Sequence, residues 1–221
     1  MFVITADQVD SRHRPDLAAA QLDRISAEHG PRLVLPPERN AGDEIQILTD
    51  DAMTAVHLVL ELTRDDDWSV GLGCGRVRTP LPHDIREASG EAFFSARTAV
   101  DRAKRVRPRF AMVAADPAAD DAADAEALLV LAILLRERRT EQGWQVYDRM
   151  MAGANQADIA NQLGVSAPAV SSRAKHANIR AELDALPALA RVLGRVDAAA
   201  TRDVTRDASR DGQRGSTEGA A

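Results

Sequence analysis

Apolar and polar positions recur along this chain with two different periods, and the changes between them predict its elements. Phe2–Ala6 is an apolar run of strand length, expected to be a buried strand. From Asp16 to His29 the apolar positions Leu17, Leu22 and Ile25 fall at helical spacing, and Gly30 ends the helix. Leu33-Val34-Leu35 and Glu44–Leu48 read as two strands joined by the turn Asn40-Ala41-Gly42-Asp43, a hairpin by turn chemistry alone. Ala52–Leu62 reads as a helix with Met53, Val56 and Leu60 facing inward, Trp68–Val77 as a strand, Gly90–Arg105 as a helix and Arg109–Ala114 as a last strand. The order β-α-β-β-α-β-α-β predicts an α+β domain over residues 1–115, one mixed sheet covered by helices. Asp116-Pro117-Ala118-Ala119-Asp120-Asp121 then reads as an acidic link over 116–124.

Beyond it the pattern is helical throughout: Asp124–Arg139, Gln145–Ala152, Gln156–Leu163, Ala167–Ala177 and Arg180–Val196, a helical domain over 125–197. From 198 to 221, Thr-Arg-Asp, Thr-Arg-Asp and Ser-Arg-Asp recur at four-residue spacing with nothing apolar to bury, which predicts a disordered tail. The most specific pattern lies inside the helical part. Ile159, Ala160 and Leu163 form one apolar stripe, Gly164 stops the helix, and Val165 plugs the turn. Ser166 then caps a new helix with Pro168 in its first turn and Val170 and Ala174 facing back. Glycine suits a left-handed turn residue because it has no Cβ to clash. This is the layout of a helix-turn-helix whose second helix enters the DNA major groove. The side chains off the buried stripe are Ala167, Pro168, Ala169, Ser171, Ser172, Arg173, Lys175 and His176. Arg can bridge guanine O6 and N7, Ser suits base or phosphate, and Ala or Pro can touch a thymine methyl. Ser166 and Gln156 stand at helix N-termini, and Gln156 is expected to grip phosphate. Gln156-Ala157-Asp158-Ile159-Ala160, Leu163-Gly164-Val165-Ser166 and Val170-Ser171 resemble the helix-turn-helix of sigma-factor region 4 and of LuxR-type and MarR-type regulators.

Charge changes the picture. The net charge of −6 excludes an undifferentiated basic nucleic-acid binder. Arg173 and Lys175, with Arg180, would neutralise only about three phosphates per copy, so a homodimer with a salt slope of about −5 is expected. The apolar helix around Ala127–Leu135 is either its seam or simply domain core. That run is too short to span a bilayer, and no export signal precedes Phe2-Val3-Ile4. A single cysteine, Cys74, fits a reducing compartment, so a cytoplasmic protein with no membrane partner is expected.

In the first domain Asp7 ends a strand and Asp43 and Glu44 sit at the hairpin, oxygen ligands of the kind Mg²⁺ takes beside a nucleotide phosphate. A solvated acidic turn is the plain alternative. Ala41-Gly42-Asp43-Glu44-Ile45 resembles the hairpin of GGDEF-type nucleotide cyclases, with Ala6-Asp7 in place of their metal-bearing strand. Asp7-Gln8-Val9-Asp10-Ser11-Arg12, Gly42-Asp43-Glu44-Ile45-Gln46 and Gly90-Glu91-Ala92-Phe93-Phe94-Ser95-Ala96-Arg97 resemble the SatD-like family more closely still. The resemblance implies a ferredoxin-like, cyclase-palm sheet, with Asp7 and Glu44 as metal ligands, Lys104 on a phosphate, and Ser11, Arg12 and Asp43 at the ligand. It departs from a working diguanylate cyclase in lacking the guanine-reading Asn and Asp in the first helix and the Arg-x-x-Asp motif before the hairpin. Binding of a nucleotide with Mg²⁺, without turnover, is what remains. The alternate glycines Gly71, Gly73 and Gly75 suit a close-approaching helix or ligand rather than a dinucleotide loop, and the five histidines have no metal-ligand spacing. The sequence thus predicts a DNA-binding transcriptional regulator with a ligand-sensing or assembly domain. The alternatives are a nucleotide-converting enzyme and a protein-binding adaptor.

Overall fold

The computed structural model describes residues 1–40 and 42–202. In chain order the elements are β1 (Phe2–Gln8), α1 (Ala18–His29), β2 (Leu35–Arg39), β3 (Glu44–Thr49), α2 (Ala52–Leu62), β4 (Trp68–Cys74), α3 (Glu91–Ala103) and β5 (Phe110–Ala114). The helices α4 (Ala119–Glu137), α5 (Glu141–Met151), α6 (Gln156–Leu163), α7 (Ala167–His176) and α8 (Ile179–Ala200) follow. The strands form one mixed sheet in the order β2-β3-β1-β4-β5, with only β4 and β5 parallel. The molecule is therefore α+β, as its periodicities predict.

Strand alternation sorts side chains between the two faces of the sheet. Phe2, Ile4, Ala6, Ile45, Ile47, Val70, Leu72, Phe110 and Met112 point into the main core. Burying each such large apolar side chain contributes roughly 1.5–3 kcal/mol before chain entropy is counted. The opposite face carries α3, which lies almost on the strands. A Cβ on Gly71 would stand 2.7 Å from the Ala96 carbonyl oxygen, and one on Gly73 would overlap the backbone of Ala92 and Ala96. The alternate glycines are there for a helix.

Two expectations need correcting. The second strand begins at Leu35 rather than Leu33 and runs through Pro36-Pro37, with its register broken between Leu35 and Glu38. Two residues without N–H donors are tolerated because β2 is an edge strand. The acidic link is largely helix: α4 starts at Ala119, and Asp120 and Asp121 occupy its first turn, where the helix dipole favours them.

The division at 116–124 also fails to separate two cores. Ala122, Ala125, Leu129 and Ile133 of α4, with Leu186, Leu189, Leu193, Val196 and Ala199 of α8, join the sheet's own core. α8 lies between α2 and α4, and α4 covers β5. Of the helices after β5, only α5, α6 and α7 stand outside it, around Val146, Ile159, Ala160, Val170, Ala177 and Ile179. Of the expected tail, residues 198–200 complete α8, and residues 203–221, with most of the Arg-Asp repeats, lie outside the described residues. No helix among the described residues is long and apolar enough to cross a membrane.

Candidate functional site

The α6–α7 unit is built by local hydrogen bonding. Asn155 opens α6, its Oδ1 accepting from the backbone N–H groups of Ala157 at 2.9 Å and Asp158 at 3.0 Å. Gly164 closes it with φ 63°. Its N–H donates to Asn161 O at 3.3 Å while Val165 N–H donates to Ala160 O at 3.0 Å, the paired bonds of a Schellman turn. Ser166 Oγ then accepts from Ala169 N at 3.4 Å to start α7. Ser166, Ala167, Pro168, Ser171, Ser172, Lys175 and His176 are exposed, with Ala169 and Arg173 half-buried.

Gln156, expected to grip phosphate, instead donates from Nε2 to the Ala167 carbonyl at 2.8 Å, tying the two helix starts together. His176 turns back along α7, with Nδ1 2.7 Å from Ser172 O. Arg173 and Lys175 have no ion-pair partner among the described residues. Gln156, Ser171 and Lys175 share an open groove of about 650 Å³ with Asn155, Asn178 and Arg180, floored by Ile159 and Val170. Asn155 and Asn178, each immediately before a helix, were not singled out by sequence.

In the first domain Asp7 and Glu44 stand directly opposite each other on β1 and β3, facing α3, so the carboxylates converge as expected. Both are occupied. The buried Glu44 takes both terminal nitrogens of Arg97, one at 2.8 Å, and the Asn40 amide at 2.8 Å. Asp7 pairs with Lys104 Nζ at 2.9 Å. Lys104, expected on a phosphate, thus neutralises one of the expected metal ligands. Ser11 and Asp43 meet elsewhere, in a cavity of about 260 Å³ with Gln8, Asp16, Arg39 and Gly42. Arg39 bridges that wall, bonding Asp16 at 2.7 Å and the Gly42 carbonyl. The Asp16 carboxyl is held below its usual range by the Ala18 N–H and by Arg39. Arg12 is exposed and lines neither place. Of the six residues expected to act together, Asp7, Glu44 and Lys104 meet at one place, Ser11 and Asp43 at another, and Arg12 at neither.

No family model, curated protein or solved structure matches the chain.

What the sequence left unread is the joint between the two parts. The arginines at and just after the end of α4 are folded inward: Arg136 and Arg139 both bind Glu182 of α8, the second pair at 2.5 Å, and all three side chains are buried. Arg139 also donates to the Ala177 carbonyl from Nε at 3.2 Å and Nη2 at 3.1 Å. Trp144 of α5 lies under Arg64, Arg136 and Arg139, whose guanidinium carbons are 4.1, 4.7 and 4.4 Å from its ring centre. Arg64 of the sheet domain pairs with Asp148 of α5 through two bonds of 2.7 and 2.9 Å, which hold its guanidinium charged. Gly143 makes the crossing possible, because a Cβ there would meet Arg139 Cγ at 2.8 Å and Ala177 Cβ at 2.9 Å. Beside this joint, Glu28 and His29 of α1 meet Glu61 of α2. Cys74 offers no nucleophile: burial, with Asp197 nearby, pushes its thiol up to about 12.

Proposed function

We propose that the protein is a sequence-specific DNA-binding regulator in which α6 and α7 form the helix-turn-helix and α7 enters the major groove. The observation that carries this reading is the Schellman turn at Gly164 between two capped helices, followed by a helix whose outer face is small, polar and cationic. Short residues on that face allow close approach to base edges, and Arg173 and Lys175 are not engaged by any acid among the described residues. Asp7 and Glu44 favour this over the enzymatic reading, since each would have to leave a cation before holding a metal. The antiparallel order β4-β1-β3-β2 supports a ferredoxin-like, palm-type sheet with β5 added at the edge, as the SatD-like resemblance implies. Its role here is to carry the DNA reader and to receive a ligand, with nucleotide and Mg²⁺ the class the resemblance suggests.

The protein acts as a homodimer in this reading. Leu128, Leu131 and Leu134 recur along the outer side of α4, exposed by 42%, 63% and 41%, while the opposite side fills the core. Helical spacing of this kind is the seam of a paired helix.

The test is selection of genomic fragments by the purified protein, then titration of the best fragment at several salt concentrations. A discrete site is expected, with a salt slope of about −5 for the dimer. Arg173→Ala should weaken binding by about 1–3 kcal/mol and relax preference at one base pair. Lys175→Ala should weaken all sequences alike. Absence of any enriched fragment at low salt, with and without nucleotide and Mg²⁺, overturns the reading.

A further inference from the structure

The end of α1 and the last turn of α2 bring the neighbours Glu28 and His29 together with Glu61, which is far from them in sequence. One donor atom each of Glu28, His29 and Glu61 lies within 4.8 Å of the others. His29 is 7% exposed, and its Nδ1 is buried with no hydrogen-bond partner among the described residues. The other ring nitrogen, Nε2, stands 3.1 Å from Glu61 Oε2. Two donor atoms bound to one ion at about 2.1 Å stand roughly 3.0–3.4 Å apart in octahedral or tetrahedral geometry, so this pair already has a ligand–ligand spacing.

The second oxygen of Glu61 is held from behind. Its Oε1 accepts from Gln21 Nε2 and from Arg24 Nε, each at 2.9 Å. Ligating carboxylates are fixed in this way by outer hydrogen bonds, which leave one oxygen aimed at the ion. All three residues line a cavity of about 560 Å³ that gives an ion and its waters access. His57, one helical turn before Glu61 on α2, lines the same cavity.

We propose that Glu28, His29 and Glu61 bind one divalent first-row transition-metal ion. A set of imidazole and carboxylate donors suits zinc, manganese, iron, cobalt or nickel, whereas Ca²⁺ and Mg²⁺ take oxygen alone. The site is separate from Asp7 and Glu44 and stands whether or not the protein binds DNA.

The experiment strips the full-length chain with a chelator and titrates it with Co²⁺ followed by absorption and with Zn²⁺ followed by calorimetry. One equivalent per chain is expected, with visible Co²⁺ bands that shift in His29→Gln. Glu28→Gln and Glu61→Gln should each weaken the ion by at least about tenfold. Glu28 is exposed, so its variant keeps the fold, which circular dichroism verifies. Uptake unaltered by both carboxylate variants, or binding only at millimolar ion, overturns the proposal.

Discussion

Asp51 starts α2 through one carboxylate oxygen, which accepts from the Thr54 N–H at 2.8 Å and the Thr54 hydroxyl at 2.6 Å. These bonds, the hydroxyl's first, lower its pKa from the ordinary 3.8. A lowered folded-state pKa contributes stability that is complete above the unfolded value and lost as pH falls through the folded one. Asp51→Ala should cost about 1 kcal/mol in urea denaturation at neutral pH. Asp51→Asn should retain most of the cap, with its difference from the parent shrinking between about pH 5 and pH 3. Caps and turns of this kind were legible in the sequence: Gly164 and Ser166 act on backbone within a few positions of themselves. Asp7 and Glu44 were legible in part, since strand alternation puts both on one face, but Arg97 and Lys104 reach them from a helix more than fifty residues away in the chain. His29 and Glu61 are read from neither side, because their meeting depends on how α1 packs on α2.

At the level of elements, the periodicities predict each α-helix and each strand except β2, which they meet only at Leu35, and the errors fall where a local preference is overridden by position. The proline pair of β2 survives on an edge, and the acidic stretch before α4 is a helix start whose alanines favour it and whose aspartates suit its dipole. The glycines Gly73 and Gly194 separate two meanings of one residue type. Gly73→Ala pushes a Cβ into the backbone of α3 and should cost about 1–3 kcal/mol or more, read as a lower urea midpoint. Gly194 lies exposed inside α8 with nothing within 4 Å, so Gly194→Ala should instead stabilise by about 0.5–1 kcal/mol.

On the scale of the molecule, the chain is one sheet-centred body with three helices set into it between α4 and α8. The sequence suggested two consecutive domains because the switch from mixed to helical periodicity is abrupt, and periodicity carries no record of which core a helix joins. The buried Arg136–Glu182–Arg139 group escaped for a related reason: charged residues in a helix end read as solvated unless their partner is known. Removing one partner of such a group leaves charge buried and uncompensated. Glu182→Gln should therefore destabilise by about 3–5 kcal/mol in urea denaturation. Asp184→Asn, which breaks the exposed pair with Arg180, should change stability by less than about 1 kcal/mol.

Arg139 and the Ala177 carbonyl give that arrangement a further meaning. The guanidinium belongs to the point where the chain leaves the body for α5, and the carbonyl to the point where it comes back from α7, so one side chain clasps both strands of the same neck. A unit whose two ends are pinned side by side is a cassette. It can be exchanged for another three-helix unit without disturbing the sheet, provided the newcomer returns a carbonyl to Arg139, keeps a glycine where Gly143 lets the neck close, and keeps Trp144 and Asp148 against Arg64.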